Sequence, residues 1–148
     1  MTGHIQYAYS KNNSMATIAL LVVLMLLLLL NVMKSNDALT WGIYGVFAII
    51  SVVLIILLVI KRLIPALRGD IALELNGEGI VDYVRNITIN WADIKEINLQ
   101  PGRSSSNIVV ELQWESDYGQ RISISLRWIK GKDAGIFETM RACFEAAA

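Results

Sequence analysis

Two stretches decide the class of fold: MATIALLVVLMLLLLLNVM (Met15–Met33) and, seven residues later, WGIYGVFAIISVVLIILLVI (Trp41–Ile60). Neither contains Lys, Arg, Asp or Glu, and Thr17, Asn31 and Ser51 are isolated polar residues that build no wet face. Helices of 19 and 20 residues rise about 28–30 Å, matching a hydrocarbon core about 30 Å thick. A buried soluble helix would carry a polar side, so both stretches read as transmembrane helices. The first is longer than the apolar core of a signal peptide, about 7–15 residues, and no small-x-small cleavage site follows Met33.

The connection Lys34–Thr40 is too short for anything but an antiparallel hairpin. Trp41 and Tyr44 suit the interface where the second span starts. Lys11 precedes the first span and Lys61, Arg62 and Arg68 follow the second, whereas the connecting loop has only Lys34, offset by Asp37. The positive-inside rule then places both termini in the cytoplasm. Pro65 and Gly69 are expected to end the second helix and form a linker. Gly42, Gly45, Ala48 and Ser51 suggest a close-packing face toward the first helix, with a homo-oligomer seam as the alternative. No intramembrane charge marks an ion or proton path.

Charge divides the chain into two materials. Residues 1–67 carry Lys11, Lys34, Lys61 and Arg62 against Asp37 alone, a net +3, and residues 68–148 carry nine basic and twelve acidic residues, a net −3. Over all 148 residues the charge is zero, with 55% apolar and 18% charged residues, against about 25% charged in a soluble domain. This composition excludes a disordered chain and a nucleic-acid binder that works through net charge. One Cys excludes an internal disulfide framework, and the single His, at position 4, leaves little for histidine chemistry.

From Asp70 the apolar period becomes two, the signature of strands. Ile71, Leu73 and Leu75 alternate with polar or small residues, and Asn76-Gly77-Glu78-Gly79 makes a turn. Around Ile80–Arg85 either parity could face inward. Ile87, Ile89 and Trp91 form the next strand, and Ile94, Ile97 and Leu99 a less regular one. After the polar loop Pro101–Ser106, the runs Ile108–Trp114 and Ile122–Trp128 read as a long hairpin with one wet face. Ile136, Met140, Cys143 and Phe144 make one stripe of an amphipathic helix, with Asp133 as its expected N-cap. Six strands and a helix are a marginal core. Ile5, Tyr7 and Tyr9 alternate just before the first span, so Ile5–Ser10 is expected to add a seventh strand.

Taken in order, several segments resemble a family of small bacterial membrane proteins with two spans and a pleckstrin-homology-like (PH-like) domain. They are Ile5-Gln6-Tyr7-Ala8-Tyr9-Ser10-Lys11, the two spans, Leu73-Glu74-Leu75-Asn76-Gly77-Glu78-Gly79-Ile80 and Ile89-Asn90-Trp91-Ala92-Asp93-Ile94. The resemblance implies an α-helical hairpin in the bacterial inner membrane and an α+β domain at its cytoplasmic face, a bent antiparallel sheet capped by a C-terminal helix. Residues 1–14 form the N-terminal segment, 15–64 the hairpin, 65–69 a linker and 70–145 the PH-like domain. The resemblance carries a fold and a topology, not a reaction.

No P-loop, dinucleotide fingerprint, GxSxG or HExxH occurs, and no catalytic, metal or cofactor set is expected. The carboxylates Glu74, Glu78, Asp82, Asp93, Glu96 and Glu111 are dispersed, and Cys143 has no His partner in its half of the chain. Trp91, Trp114 and Trp128 end alternating runs and are expected in the core, with an aromatic pocket as the alternative. Arg103 and the serines of its loop are candidates for an anion or lipid headgroup, with a plain solvated loop as the alternative. Arg121, Arg127, Lys130 and Lys132 cluster near the last strand, as headgroup contacts or simply its wet face. Trp41, Tyr44, Lys61, Arg62 and Arg68 are the expected interface anchors. The leading expectation is a membrane-anchored, non-enzymatic interaction module with the bilayer and another protein as partners. The alternatives are a lipid or small-ligand sensor and an immunity protein against a membrane-acting toxin.

Overall fold

The computed structural model describes residues 3–148. The chain divides into a helical unit, Lys11–Arg68, and a sheet unit made of the residues through Ser10 and Gly69–Ala148.

The helical unit holds α1 (Lys11–Met33) and α2 (Ala38–Leu58); α2 continues through a π-helical turn (Val59–Leu63) into α3 (Ile64–Arg68). Within Lys11–Met33 and Ala38–Arg68 the most apolar 18-residue windows have mean hydropathies of 2.8 and 3.2, and both helices are long and apolar enough to cross a membrane. The link between them tightens to a few residues because Asp37 caps α2. Its carboxylate accepts from the Leu39 amide at 3.2 Å, a donor that the first helical turn leaves free, and from the Thr40 hydroxyl at 3.0 Å. The Trp41 indole N–H donates to the Ser35 carbonyl at 3.1 Å, which pins the loop.

The helix runs through Pro65 instead of ending there. Proline offers no N–H and crowds the preceding turn. Widening into a π-turn absorbs that insult: the Ile64 amide reaches back five residues to the Val59 carbonyl, and the Arg62 guanidinium donates to the Lys61 carbonyl. Gly69, at φ 73°, is where the helix stops. The expected linker 65–69 therefore shrinks to its last residue. The small-residue face also differs from expectation. A Cβ at Gly42 or Gly45 would meet no neighbour, and the Ser51 hydroxyl bonds back to the Phe47 carbonyl at 2.8 Å. Between the helices a gap of about 430 Å³ opens beside Met25, Leu29, Ala48 and Val52.

The sheet unit is α+β, with two antiparallel meanders and a C-terminal helix. The four-stranded sheet runs β1 (Ile5–Ala8), β2 (Ile71–Leu75), β3 (Gly79–Asp82) and β4 (Ile87–Asn90); the three-stranded sheet runs β5 (Ile94–Gln100), β6 (Asn107–Ser116) and β7 (Gly119–Ser125). A single 3-10 turn, Trp91–Asp93, carries the chain from one sheet to the other. Leu73, Leu75, Ile80, Ile89, Ile108, Ile122 and Ile124 are buried, joined by Ile136 and Met140 of α4 (Asp133–Ala147). The parity left open around Ile80–Arg85 is decided for Ile80 and Asp82. Asp82 is buried yet satisfied, because its carboxylate accepts the Val84 and Arg85 amides that turn β3 into β4. Gly79 is required where β3 meets β4, since a Cβ there would run into the Ile89 carbonyl.

The N-terminal strand bonds to β2 and to the segment that follows β7. β1 pairs with β2 from Ile5 opposite Leu75 to Ala8 opposite Ile71. One step on, the Tyr9 amide donates to the Asp70 carbonyl, the Ser10 amide to the Trp128 carbonyl at 2.7 Å, and the Lys130 amide to the Ala8 carbonyl at 2.8 Å. Edge donors of β1 and of the segment after β7 thus satisfy one another.

Candidate functional site

Three places in the sheet unit gather chemistry. The first is Glu74, near the end of β2. Its carboxylate is ringed by His4 Nδ1 at 3.2 Å and by Asn76 Nδ2, Gln6 Nε2 and the Tyr83 hydroxyl, each at 3.3 Å. The His4 bond, then those of Asn76 and Gln6, hold this carboxyl below the usual carboxylate range; partial desolvation opposes them. The Tyr83 phenol is pushed up by desolvation first and by the neighbouring Glu74 charge second. A carboxylate with its lone pairs taken by four donors is a poor proton acceptor. Its role is a clasp that ties β1 and β3 to β2.

The second place is a cleft of about 390 Å³ between the β2–β3 turn, the start of β1 and the last turns of α4. It is lined by Ile5, Asn76, Trp91, Cys143, Ala146 and Ala147, with Gly3 and Gly77 at its margin. The Trp91 ring is buried, its N–H donates to the Asn76 carbonyl at 2.8 Å, and Phe144 lies 6.5 Å away, centroid to centroid. The cleft exists because α4 seats Ile136 and Met140 fully, while Cys143 and Phe144, farther along the same stripe, stay partly open.

The third place is the β6–β7 hairpin. Trp114 is 73% exposed and Tyr118 56%. Sequence parity puts Trp114 with Ile108, Val110 and Leu112 in the core; the structure puts it in water. The cause is an irregularity in the β6–β7 ladder. Glu111 still opposes Arg121, but the next pair is Ser116 and Gly119, so residues 112–115 face one residue, Gln120, and the alternation breaks. Beneath this hairpin lies a dimple of about 120 Å³ lined in part by Thr88, Asp93, Asp117 and Tyr118.

The remaining candidates do not converge on one site. Arg103 is exposed in its loop, and the Ser106 amide of that loop is already taken by the Asp133 carboxylate at 2.9 Å. An anion seeking that amide would meet a negative charge. Asp133 is correspondingly not the N-cap of α4; Lys132 occupies that position with no side-chain cap, and Asp133 spends its carboxylate on the loop. Arg121 is exposed on β7 across from Glu111, which also pairs with Lys95 at 3.7 Å. Arg127 lies 5.2 Å over the Trp128 ring, which is half-buried, and Lys130 belongs by its backbone to the seam with β1. Trp41 and Tyr44 sit in the first two turns of α2, with Lys61 and Arg62 in the π-turn and Arg68 at the end of α3. Sequence reasoning missed the Glu74 clasp, which joins residues about seventy positions apart, and it offered an aromatic pocket at Trp91 only as an alternative, without the Ile5 and α4 residues that complete the cleft. Among the described residues no group of His, Cys, Asp and Glu is arranged to hold a metal.

Comparison with protein-family models, with curated proteins and with solved structures finds no match.

Proposed function

We propose that this chain is a membrane-anchored interaction module: a helical hairpin in a bacterial inner membrane holds a PH-like sheet domain at the cytoplasmic face, where the domain docks another protein. Two meanders joined at one corner and closed by α4 support the PH-like reading. The topology draws support from the β1–β2 pair. The strands leading into α1 and out of α3 are hydrogen-bonded neighbours, with the Tyr9 amide on the Asp70 carbonyl, so a hairpin of two spans starts and finishes at one bilayer surface. Lys11, Lys61, Arg62 and Arg68 lie at those ends, which favours the cytoplasmic side. Confinement there raises the module's effective concentration for membrane-bound partners.

The observation that carries the docking function is Trp114, 73% exposed on a hairpin that also presents Tyr118. Large aromatic side chains standing in water are the typical anchors of protein interfaces. Trp and Tyr also favour lipid interfaces, but Glu115 and Asp117 flank these two, and the cytoplasmic leaflet is itself anionic. Charge therefore favours a protein over a lipid surface. The test is purification of the full chain from gently solubilised membranes, with and without Trp114→Ala. A stoichiometric partner retained by the parent and lost by the variant is expected. A protein that purifies alone, repeatedly and in both forms, overturns the reading.

A further inference from the structure

The cleft beside Trp91 is a second feature, separate from the hairpin, and its chemistry restricts what it can hold. Besides Gly3 and Gly77, the lining residues are Ile5, Asn76, Trp91, Cys143, Ala146 and Ala147. Asn76 is the only amide side chain among them, and it is already engaged. Its Nδ2 donates to Glu74, its Oδ1 accepts the Glu78 and Gly79 amides at 2.9 Å each, and its backbone carbonyl accepts the Trp91 indole. No Lys, Arg, Asp or Glu lines the space. The lining is mainly apolar, and a phosphate or a carboxylate would lose its hydration here without meeting a counter-charge. The volume of about 390 Å³ falls within the range of about 300–1,000 Å³ typical of small-molecule sites.

The geometry points to a hydrocarbon site: the cleft between Trp91 and the end of α4 takes an alkyl chain, tail first, with any polar head left in water at the Gly3–Gly77 margin. An alkyl tail needs no hydrogen bond, and every apolar surface it covers is removed from water. The chain has two sources, an acyl tail of a bilayer phospholipid or a free fatty alcohol or acid, and the recognition chemistry is the same for both. This site does not depend on the hairpin docking reading, and Trp114→Ala leaves it intact.

The test uses the full chain in phospholipid nanodiscs and two photoreactive probes: decanol with a terminal diazirine, and a phospholipid carrying the same diazirine at the end of one acyl chain. After illumination, adducts are mapped by mass spectrometry. Adducts on residues 15–60 report that each probe is active. Expected are additional adducts on Trp91 or on residues 143–147, reduced about tenfold, or about 1.4 kcal/mol, by Ala147→Trp, which fills the cleft from an exposed position at the helix end. Cleft adducts from the phospholipid probe assign the chain to the bilayer; adducts from decanol alone assign it to a free molecule. Adducts confined to residues 15–60 with both probes overturn the inference, as do cleft adducts that Ala147→Trp leaves unchanged. Ala146→Trp, one position earlier on the same lining, repeats the test should the first variant fold poorly.

Discussion

Leu27 on α1 and Leu73 on β2 are the same side chain in opposite surroundings: the first is 52% exposed, and the second has no exposed surface. The contrast extends across the two units. In the helices, Leu20, Val23, Leu30, Ile49, Ile56 and Ile60 all face outward, and their backbone needs nothing from outside because each helix satisfies its own amides. In the sheets, apolar residues face inward on one parity, and the edges must find partners elsewhere, as β1 does with β2 and with the segment after β7. The first arrangement is stable where the solvent is lipid, the second where it is water. A residue's contribution therefore depends on which unit it occupies, and four experiments test what holds each unit.

The largest expected effect comes from truncating the buried leucine. Leu73→Ala should cost about 2–5 kcal/mol, through lost transfer energy and the cavity left behind. Leu27→Ala should cost well under half as much, because lipid closes around the smaller side chain. Urea unfolding of the sheet unit within the full chain, followed by near-ultraviolet circular dichroism, reads the first, and thermal stability in nanodiscs reads the second. Equal losses would erase the contrast.

A charge should break the opposite unit. Val53 is half-exposed within the uncharged run of α2, so on a water-facing helix Val53→Arg would be nearly neutral. In a membrane it should raise the apparent insertion free energy by about 2.5–3.5 kcal/mol. A glycosylation-mapping insertion assay should show a large fall in the fraction of chains spanning twice. Unchanged insertion would remove the membrane reading of α2.

A smaller effect is expected from Asp82→Ala. The variant leaves the Val84 and Arg85 amides without the carboxylate that turns β3 into β4, a loss of about 1–3 kcal/mol. Asp82→Asn should recover part of it, since the amide oxygen still accepts. Chemical denaturation of both variants decides this.

The smallest effect is a pH dependence. Glu74 has its folded carboxyl below the ordinary value of 4.5. Its contribution is therefore fully present above pH 4.5 and is lost as pH falls through the lower, folded value. Acid titration of stability should show a shallower decline below pH 4.5 in Glu74→Gln than in the parent. Identical profiles would mean that the clasp holds β1 without using its charge.

Much of this architecture was legible in single residues and their spacing. The absence of charge in Met15–Met33 and Trp41–Ile60 marked the helices, and the period of two after Asp70 marked the strands, down to the N-terminal one at Ile5. Pro65 misled, because the rule that proline ends a helix is local, and a π-turn with an arginine over the Lys61 carbonyl lets the helix continue. Trp114 misled for a related reason. Its parity was inward, and nothing in residues 112–115 announced that the opposing strand would supply only Gln120. Asp133 had the composition of an N-cap, but the Ser106 amide, twenty-seven residues away, competed for its carboxylate more effectively than its own helix did.

By itself, the order of apolar and polar residues determined which segments are helices, which are strands and where water must be excluded, because periodicity and charge cost act on neighbours along the chain. Tertiary structure alone decided that β1 bonds to β2 and to the segment after β7, that Glu74 gathers four donors, and that α4 leaves a mainly apolar cleft beside Trp91. Each of these depends on where distant segments meet, and hydrogen-bond geometry and packing volume are settled only at the meeting.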